Sequence, residues 1–339
     1  MKVAVIGAGA WGTAVAIHAA RLGPVLLYAR DRTQADELEK ARRNERYLPG
    51  VSFPESLRIG KSVAECVAHA GDAGLIVVAS PVAGLRLSFT NLASVAASAS
   101  KPQGPDFSPI IWLSKGLEAG TGLLPHQVAE QALPDNWPRG VLSGPSFAQE
   151  VAAGLPAALV VAGTHPVVGQ RAEQAFHHDR MRIYFSADLI GVELGGAMKN
   201  VVAIAAGICD GLQLGANARA ALMTRGLAEL SRLGAAMGAR GETFMGLAGM
   251  GDLVLTCATD LSRNRRVGLG LAAGQTLAEV VQSLGHVAEG VPCAAEAVRR
   301  AAELKVDMPI AQAVNDVICG KSTPLAAVND LLAREAIAE

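Results

Sequence analysis

The chain opens on a short apolar run, Val3-Ala4-Val5-Ile6. It passes at once into Gly7-Ala8-Gly9-Ala10-Trp11-Gly12, and Thr13 to Leu22 then carries a helical pattern ended by Gly23. Glycines at this spacing, set between a strand and a helix, narrow the fold more than any other feature of the sequence. The first permits the tight turn and the third lets helix and strand pack closely; the second leaves the backbone bare where a pyrophosphate approaches. The N–H groups and dipole at the helix N-terminus then favour the phosphate charge. Gly7, Gly9 and Gly12 are therefore read as a dinucleotide-binding turn. The stretch Val3 to Ala20 carries no Asp, Glu, Lys or Arg and ends in small residues, as a secretory leader does. Its glycines and His18 interrupt any leader pattern, so none is expected.

Further short apolar runs follow at Val25–Tyr28, Leu75–Ala79, Ile110–Leu113 and Val141–Leu142, with Ala158–Val161 and Met181–Phe185 extending the series. Continuous apolar runs alternating with helical patterns indicate parallel strands covered on both faces. After Asp188 the strand signals largely stop. Gly191–Leu214, Arg219–Met237 and much of the chain from Thr276 onward read as Ala- and Leu-rich helices. The expected plan is an α/β domain over 1–188, of the Rossmann dinucleotide-binding type, followed by an all-α domain over 189–339.

Composition excludes several classes. The 339 residues are 50% hydrophobic and 18% charged, as in a globular chain, and with 4% aromatics the core must be built from Ala, Val, Leu and Ile. Lys plus Arg number 30 against 31 Asp plus Glu, a net charge of -1, which gives no field for nucleic acid or an anionic membrane. Apart from the N-terminal stretch, no apolar run is read as approaching the ~18 residues that span a bilayer, so no membrane anchor is expected. The five cysteines, Cys66, Cys209, Cys257, Cys293 and Cys319, lack CxxC or metal-ligand spacing and read as free thiols of a reducing compartment. The histidines form no HExxH pattern, and no metal is expected.

The second strand ends Tyr28-Ala29-Arg30-Asp31-Arg32. An acidic residue at this place bonds a ribose 2′-hydroxyl, whereas an arginine accepts a 2′-phosphate. Arg30, with Arg32 in reach, points to NADP(H); the adjacent Asp31 leaves NAD(H) usable. A solvated charge cluster on a loop is the alternative.

Lys199 is the one lysine in a largely apolar helical segment from Gly191 to Gly211. Its helical neighbours Gly195, Gly196, Val202 and Ala203 carry no charge. Burying an unpaired ammonium costs several kcal/mol, so this lysine either snorkels to water or serves a function. Asp252 is the one charge in Gly246–Leu255, after a glycine-rich turn, and is either its partner or a helix N-cap. Ser262-Arg263-Asn264-Arg265-Arg266 clusters guanidinium groups that suit a phosphate, or form a solvated helix face.

Taken in order, GAGAWGTA from Gly7, NERYLPG from Asn44, WLSKGLE from Trp112, LSGPSFAQE from Leu142, MKNVVAIAAGICDGL from Met198, GLAGMGDLVLTC from Gly246, SRNRRVG from Ser262 and VAEGV from Val287 resemble the bacterial NAD(P)-dependent glycerol-3-phosphate dehydrogenases over essentially the whole chain. Ser80-Pro81-Val82 departs from the Val-Pro-Ser type of turn common there. The resemblance implies that Lys199 exchanges a proton with the substrate oxygen. It implies substrate contacts at Lys115, Gly144, Ser146, Lys199, Asp252, Ser262, Arg263 and Asn264. It also implies cofactor contacts at Gly7, Gly9, Trp11, Gly12, Arg30, Lys115, Ala148, Arg263, Val287 and Glu289. The implied reaction is reduction of dihydroxyacetone phosphate to glycerol 3-phosphate, in the cytoplasm, for phospholipid synthesis. A homodimer is compatible with the apolar helical domain. Two rivals stand beside this reading. A β-hydroxyacid or 6-phosphogluconate-type dehydrogenase has an asparagine four residues after its helix lysine, where this chain has Ala203. A dinucleotide-sensing protein without catalysis has no need of the two lysines, Asp252 and the arginine cluster together.

Overall fold

The computed structural model describes residues 1–98, 108–178, 180–285 and 288–334. By its contacts the chain forms two compact units, Met1–Lys115 with Pro125–Val192, and Gly116–Leu124 with Glu193–Glu339.

The strands of the first unit are β1 (Val3–Ile6), β2 (Val25–Tyr28), β3 (Arg43–Asn44), β4 (Leu48–Ser52), β5 (Leu57–Gly60), β6 (Leu75–Val78), β7 (Ile110–Trp112), β8 (Arg139–Ser143), β9 (Ala157–Gly163) and β10 (Met181–Ser186). Its helices are α1 (Ala10–Ala19), α2 (Arg32–Ala41), α3 (Val63–Ala70), α4 (Leu85–Ser98), α5 (Pro125–Ala132), α6 (Ala148–Ala153) and α7 (Pro166–Phe176). One 8-stranded sheet runs β10-β9-β8-β7-β6-β1-β2-β5, while β3 and β4 form a separate antiparallel hairpin. The chain leaves β1 toward β2 on one side and returns to β6 on the other, so the ends of β1 and β6 form the switch point where such sheets bind ligands. β1 and β2 carry the boundaries expected from sequence, and their residues are buried except for a half-buried Tyr28. With so few aromatics, ring packing is sparse; Phe89 meets Trp112 edge-on with centroids 5.6 Å apart.

Two of the elements expected in the first unit depart from the sequence reading. α1 begins at Ala10, inside the glycine run, rather than at Thr13. β9 runs antiparallel to β8, although β10 is again parallel to β9. A continuous apolar run reports burial on both faces and carries no information about strand direction.

Among the described residues, the second unit contains no strand. Its helices are α8 (Leu189–Gly211, which begins in the first unit), α9 (Gly215–Ala236), α10 (Gly241–Phe244), α11 (Asp252–Ala258), α12 (Arg263–Ala272), α13 (Leu277–Leu284), α14 (Gly290–Leu304), α15 (Pro309–Ile318) and α16 (Pro324–Leu332), with a π-helical turn over Leu247–Gly251. α8 is long and apolar enough to cross a bilayer, contrary to the expectation that no run approaches that length. However, 89% of its apolar window is buried within the molecule, as in the core helix of a globular protein. α8 and α12 touch backbone to backbone. A Cβ on Gly207 would lie 2.0 Å from the Arg265 carbonyl oxygen, and one on Gly268 would lie 2.0 Å from that of Ile204. The segment Gly116–Leu124 is pinned to α14, where Gly120 N–H donates to Glu296 Oε1 at 2.6 Å. Glu229, buried on α9, caps α15 by accepting from Ile310 N–H at 2.7 Å and Ala311 N–H at 3.2 Å.

Candidate functional site

In the first unit the glycine turn joins β1 to α1. Gly7 has φ +120°, a conformation strained for any residue with a Cβ, and a Cβ there would also lie 2.8 Å from the Ala79 carbonyl oxygen. A Cβ on Gly12 would sit 2.1 Å from the Gly7 carbonyl oxygen and 2.7 Å from Ala79 Cβ. Gly9 is the opposite case, since nothing lies within 4 Å of where its Cβ would be. The turn is therefore packed tightly against the segment after β6 through Gly7 and Gly12 and open at Gly9. No side chain caps α1, whose N-terminus begins there. An open backbone at an uncapped helix start suits a pyrophosphate. Trp11, half-buried at the start of α1, packs against the core below.

After β2, Arg30, Asp31 and Arg32 are all exposed. Asp31 is the N-cap of α2 and accepts from Gln34 N–H at 3.2 Å. Its carboxylate is thus engaged at the start of the helix. Beyond β7 and β8, three of the residues singled out from sequence share one carbonyl. Lys115 Nζ and Ser146 Oγ each donate to the Gly144 carbonyl oxygen at 3.1 Å. Ala148, the first residue of α6, is half-buried nearby in sequence.

In the second unit, α8 carries Lys199 and α11 begins at Asp252. Both are buried, Lys199 at 8% exposure and Asp252 at 1%, so the bland reading of a snorkelling lysine does not apply. Lys199 Nζ forms a close ion pair with Asp252 Oδ1 and donates to Thr256 Oγ1 at 3.0 Å. The Thr256 hydroxyl in turn donates to the Asp252 carbonyl oxygen at 2.6 Å, which leaves its lone pairs for the ammonium. Asn200, next along α8, accepts from Asn264 Nδ2 at 2.9 Å, and Asn264 Oδ1 accepts from Gly290 N–H at 2.9 Å. The α8–α12 backbone contact is what brings these amides together.

The arginine cluster separates into different roles. Ser262 is the N-cap of α12 and accepts from Arg265 N–H. Arg265 is not a phosphate ligand in waiting. Its Nε and Nη2 donate to Asp210 Oδ2 at 2.9 and 2.7 Å, and its Nη1 donates to Asp260 Oδ1 at 2.6 Å. Asp210 also pairs with Arg219 at 2.9 Å. Arg266 donates from Nε to the Asp260 carbonyl oxygen. Arg263 presents an exposed side chain, though partial desolvation lowers its guanidinium pKa, opposed by the charge of Glu289, the residue before α14. Val287 lies outside the described residues.

Thr256 and the Arg265–Asp210 pair were missed from sequence. The signal for Thr256 was its position four residues after Asp252, one helical turn on and on the same face. The four buried thiols are poorly suited to act as nucleophiles. Burial pushes Cys66, Cys257 and Cys293 up to about 12, and Cys209 is also buried; only Cys319 is exposed.

The sequence model of the NAD-dependent glycerol-3-phosphate dehydrogenase N-terminus matches residues 2–168, and that of the C-terminus matches residues 188–329. A Methylibium petroleiphilum protein named glycerol-3-phosphate dehydrogenase [NAD(P)+] is 54% identical over 340 residues, covering 100% of this chain and 98% of the relative. A protein of the same name from Cupriavidus necator is 53% identical, covering 99% of each. The crystal structure of glycerol-3-phosphate dehydrogenase from Coxiella burnetii superposes with a TM-score of 0.91 at 38% identity, covering 98% of this chain and 99% of that one. The chain belongs to the NAD-dependent glycerol-3-phosphate dehydrogenase family.

Proposed function

We propose that this chain interconverts dihydroxyacetone phosphate and sn-glycerol 3-phosphate with NADP(H) preferred over NAD(H). The observation that carries the reading is the buried Lys199 ammonium, held by Asp252 and Thr256, with only uncharged residues one helical turn away on α8. The dinucleotide, when bound, supplies or accepts the hydride. Gly7, Gly9 and Gly12 with the N-terminus of α1 hold its pyrophosphate. Trp11, Ala148, Val287 and Glu289 take further parts of it. Arg30 meets the 2′-phosphate, a role favoured because the neighbouring Asp31 carboxylate is already engaged as a helix cap.

Lys199 performs the proton chemistry. Reduction of the ketone places negative charge on its oxygen, and a fixed ammonium stabilises that alkoxide and delivers the proton. In the reverse direction the neutral amine removes it. Asp252 and Thr256 aim the ammonium, so no reorganisation is needed as charge develops. Lys115, held with Ser146 on the Gly144 carbonyl, contributes a further positive charge to substrate binding. Ser262, Arg263 and Asn264 anchor the phosphate, whose binding energy positions the carbonyl. The enzyme acts in the cytoplasm, where five unbridged thiols are at home, and supplies phospholipid synthesis. Following NADPH oxidation with dihydroxyacetone phosphate, with unphosphorylated dihydroxyacetone and NADH as controls, tests the reading. Rapid oxidation only with the phosphorylated ketone is expected. No turnover in protein that binds NADPH would return the chain to the sensor reading.

A further inference from the structure

The motif Asn-Glu-Arg-Tyr-Leu-Pro-Gly from Asn44 has no part in the chemistry above, yet its first residue is among the most buried polar side chains of the first unit, at 1% exposure. Asn44 sits in the β3–β4 hairpin. Its Nδ2 donates to the Ala8 carbonyl oxygen at 3.0 Å and to Thr13 Oγ1 at 2.8 Å. Its Oδ1 accepts from Tyr47 N–H at 3.2 Å, which fixes which end of the amide faces the turn. A second amide reaches the same atom from another element, since Gln34 Nε2, in the first turn of α2, donates to the Ala8 carbonyl oxygen at 2.9 Å. Both lone pairs of that oxygen are thus filled by side chains.

The consequence follows from peptide geometry. The Ala8 carbonyl and the Gly9 N–H belong to one planar trans peptide and point in opposite directions. Two donors clamped on the oxygen therefore fix the direction of the Gly9 N–H, away from Asn44 and Gln34. Among the described residues that N–H has no protein partner, and it belongs to the glycine beside which the turn is open. Gln34 adds a second coupling. Its own N–H binds the Asp31 carboxylate, so one residue connects the phosphate turn to the segment that selects between NADP(H) and NAD(H).

We infer that Asn44 and Gln34 are positioning residues for the dinucleotide: together they aim the Gly9 N–H at the pyrophosphate, and Gln34 additionally sets the Arg30 segment in register with that turn. The inference rests on the turn being the dinucleotide site. Asn44→Asp keeps the shape and replaces the donor by an oxygen, and Gln34→Met keeps the length and removes the donor. Dissociation constants of NADPH and NADH, read from tryptophan fluorescence without substrate, would be measured beside kcat and the KM for dihydroxyacetone phosphate at saturating dinucleotide.

For Asn44→Asp, both dinucleotides weaken by about tenfold and by similar factors, as expected for one misdirected hydrogen bond to a charged group. For Gln34→Met, NADPH weakens more than NADH, and the preference narrows by about fivefold. In both variants the loss falls on the dinucleotide constants and not on kcat. An unchanged NADPH constant in folded Asn44→Asp overturns the inference, as does a loss that appears equally in kcat. Gln34 is half-buried near the surface, so its variant folds even where the Asn44 variant does not. Unchanged constants and preference there would equally overturn it. Wild-type protein that binds neither dinucleotide would instead overturn the reading of the turn itself.

Discussion

Lys199→Met, Asp252→Asn and the double variant form a cycle whose outcome can be worked from the burial of the pair. Asp252 is 1% exposed and Lys199 8%, so water cannot replace a partner that is removed. Removing one member of such a pair strands a buried charge, which costs about 3–5 kcal/mol. The double variant leaves two neutral groups of similar size, and its cost is that of imperfect packing, about 1–2 kcal/mol. The singles therefore sum to well above the double, with a coupling of at least about 3 kcal/mol. Calorimetric melting reads this directly. For a unit of this size each kcal/mol moves Tm by roughly 2–4 °C, so each single falls by on the order of 10 °C and the double by clearly less than their sum. Turnover gives the second readout. Lys199→Met loses on the order of 10²-fold or more in kcat, as for loss of a general acid. Additive Tm changes would mean that the pair is solvated and that the electrostatic reasoning is wrong. Near-normal kcat in folded Lys199→Met would remove Lys199 from proton transfer.

Three further outcomes are expected. Burial raises the Glu229 carboxyl from 4.5 to about 7, so between these values the native state keeps a proton that the unfolded chain has released. The stability this gives is full below the lower value and lost as pH rises through the upper, by about 3 kcal/mol at most; Glu229→Gln flattens that slope in denaturant titrations across this range, and an unaltered slope would show that another group causes it. Gly12→Ala forces its Cβ to 2.1 Å from a backbone oxygen that belongs to the same turn, so it abolishes NADPH binding or lowers Tm sharply, and a variant that binds normally contradicts the packing described. Arg265→Met leaves Asp210 short of its buried partner and costs about 3 kcal/mol, with part recovered by adding Asp210→Asn; no recovery in the melting profile would mean that the ion pair is not what holds α12.

What the sequence disclosed, and what it hid, follows from the range of each interaction. β1, β2 and the glycine turn were legible because strand, turn and helix requirements all fall within about twenty residues. β5 (Leu57–Gly60) escaped because an arginine interrupts its short run, and the β3–β4 hairpin because most of its residues are exposed and form no apolar stretch. The direction of β9 is set by where its connection packs, with α6 lying on α1 and Arg21 donating to the Ala152 carbonyl oxygen, and no local pattern encodes that. In the second unit Lys199 and Asp252 were paired across 53 residues because Lys199 is the one cation of an apolar helical segment and Asp252 the one charge of the glycine-rich segment it meets. Arg265 could not be told from Arg263, since Asp210, which accepts two of its hydrogen bonds, comes within reach only when α8 meets α12.

The segment Gly116–Leu124 bears on how the protein is made. Its anchor, the Gly120–Glu296 hydrogen bond, joins residues 176 positions apart. During synthesis at about 5–20 residues per second, the sheet strands on either side of this segment emerge well before α14 exists. For roughly ten seconds or more the nascent chain holds an unfinished loop, with Leu117 and Leu124, both buried in the finished protein, exposed to solvent and to chaperones. A truncated chain that ends after the first unit keeps those leucines unburied. Cutting the gene at the visible change from α/β to helix therefore yields a product prone to aggregate, whereas an excision that also replaces 116–124 by a short polar linker does not.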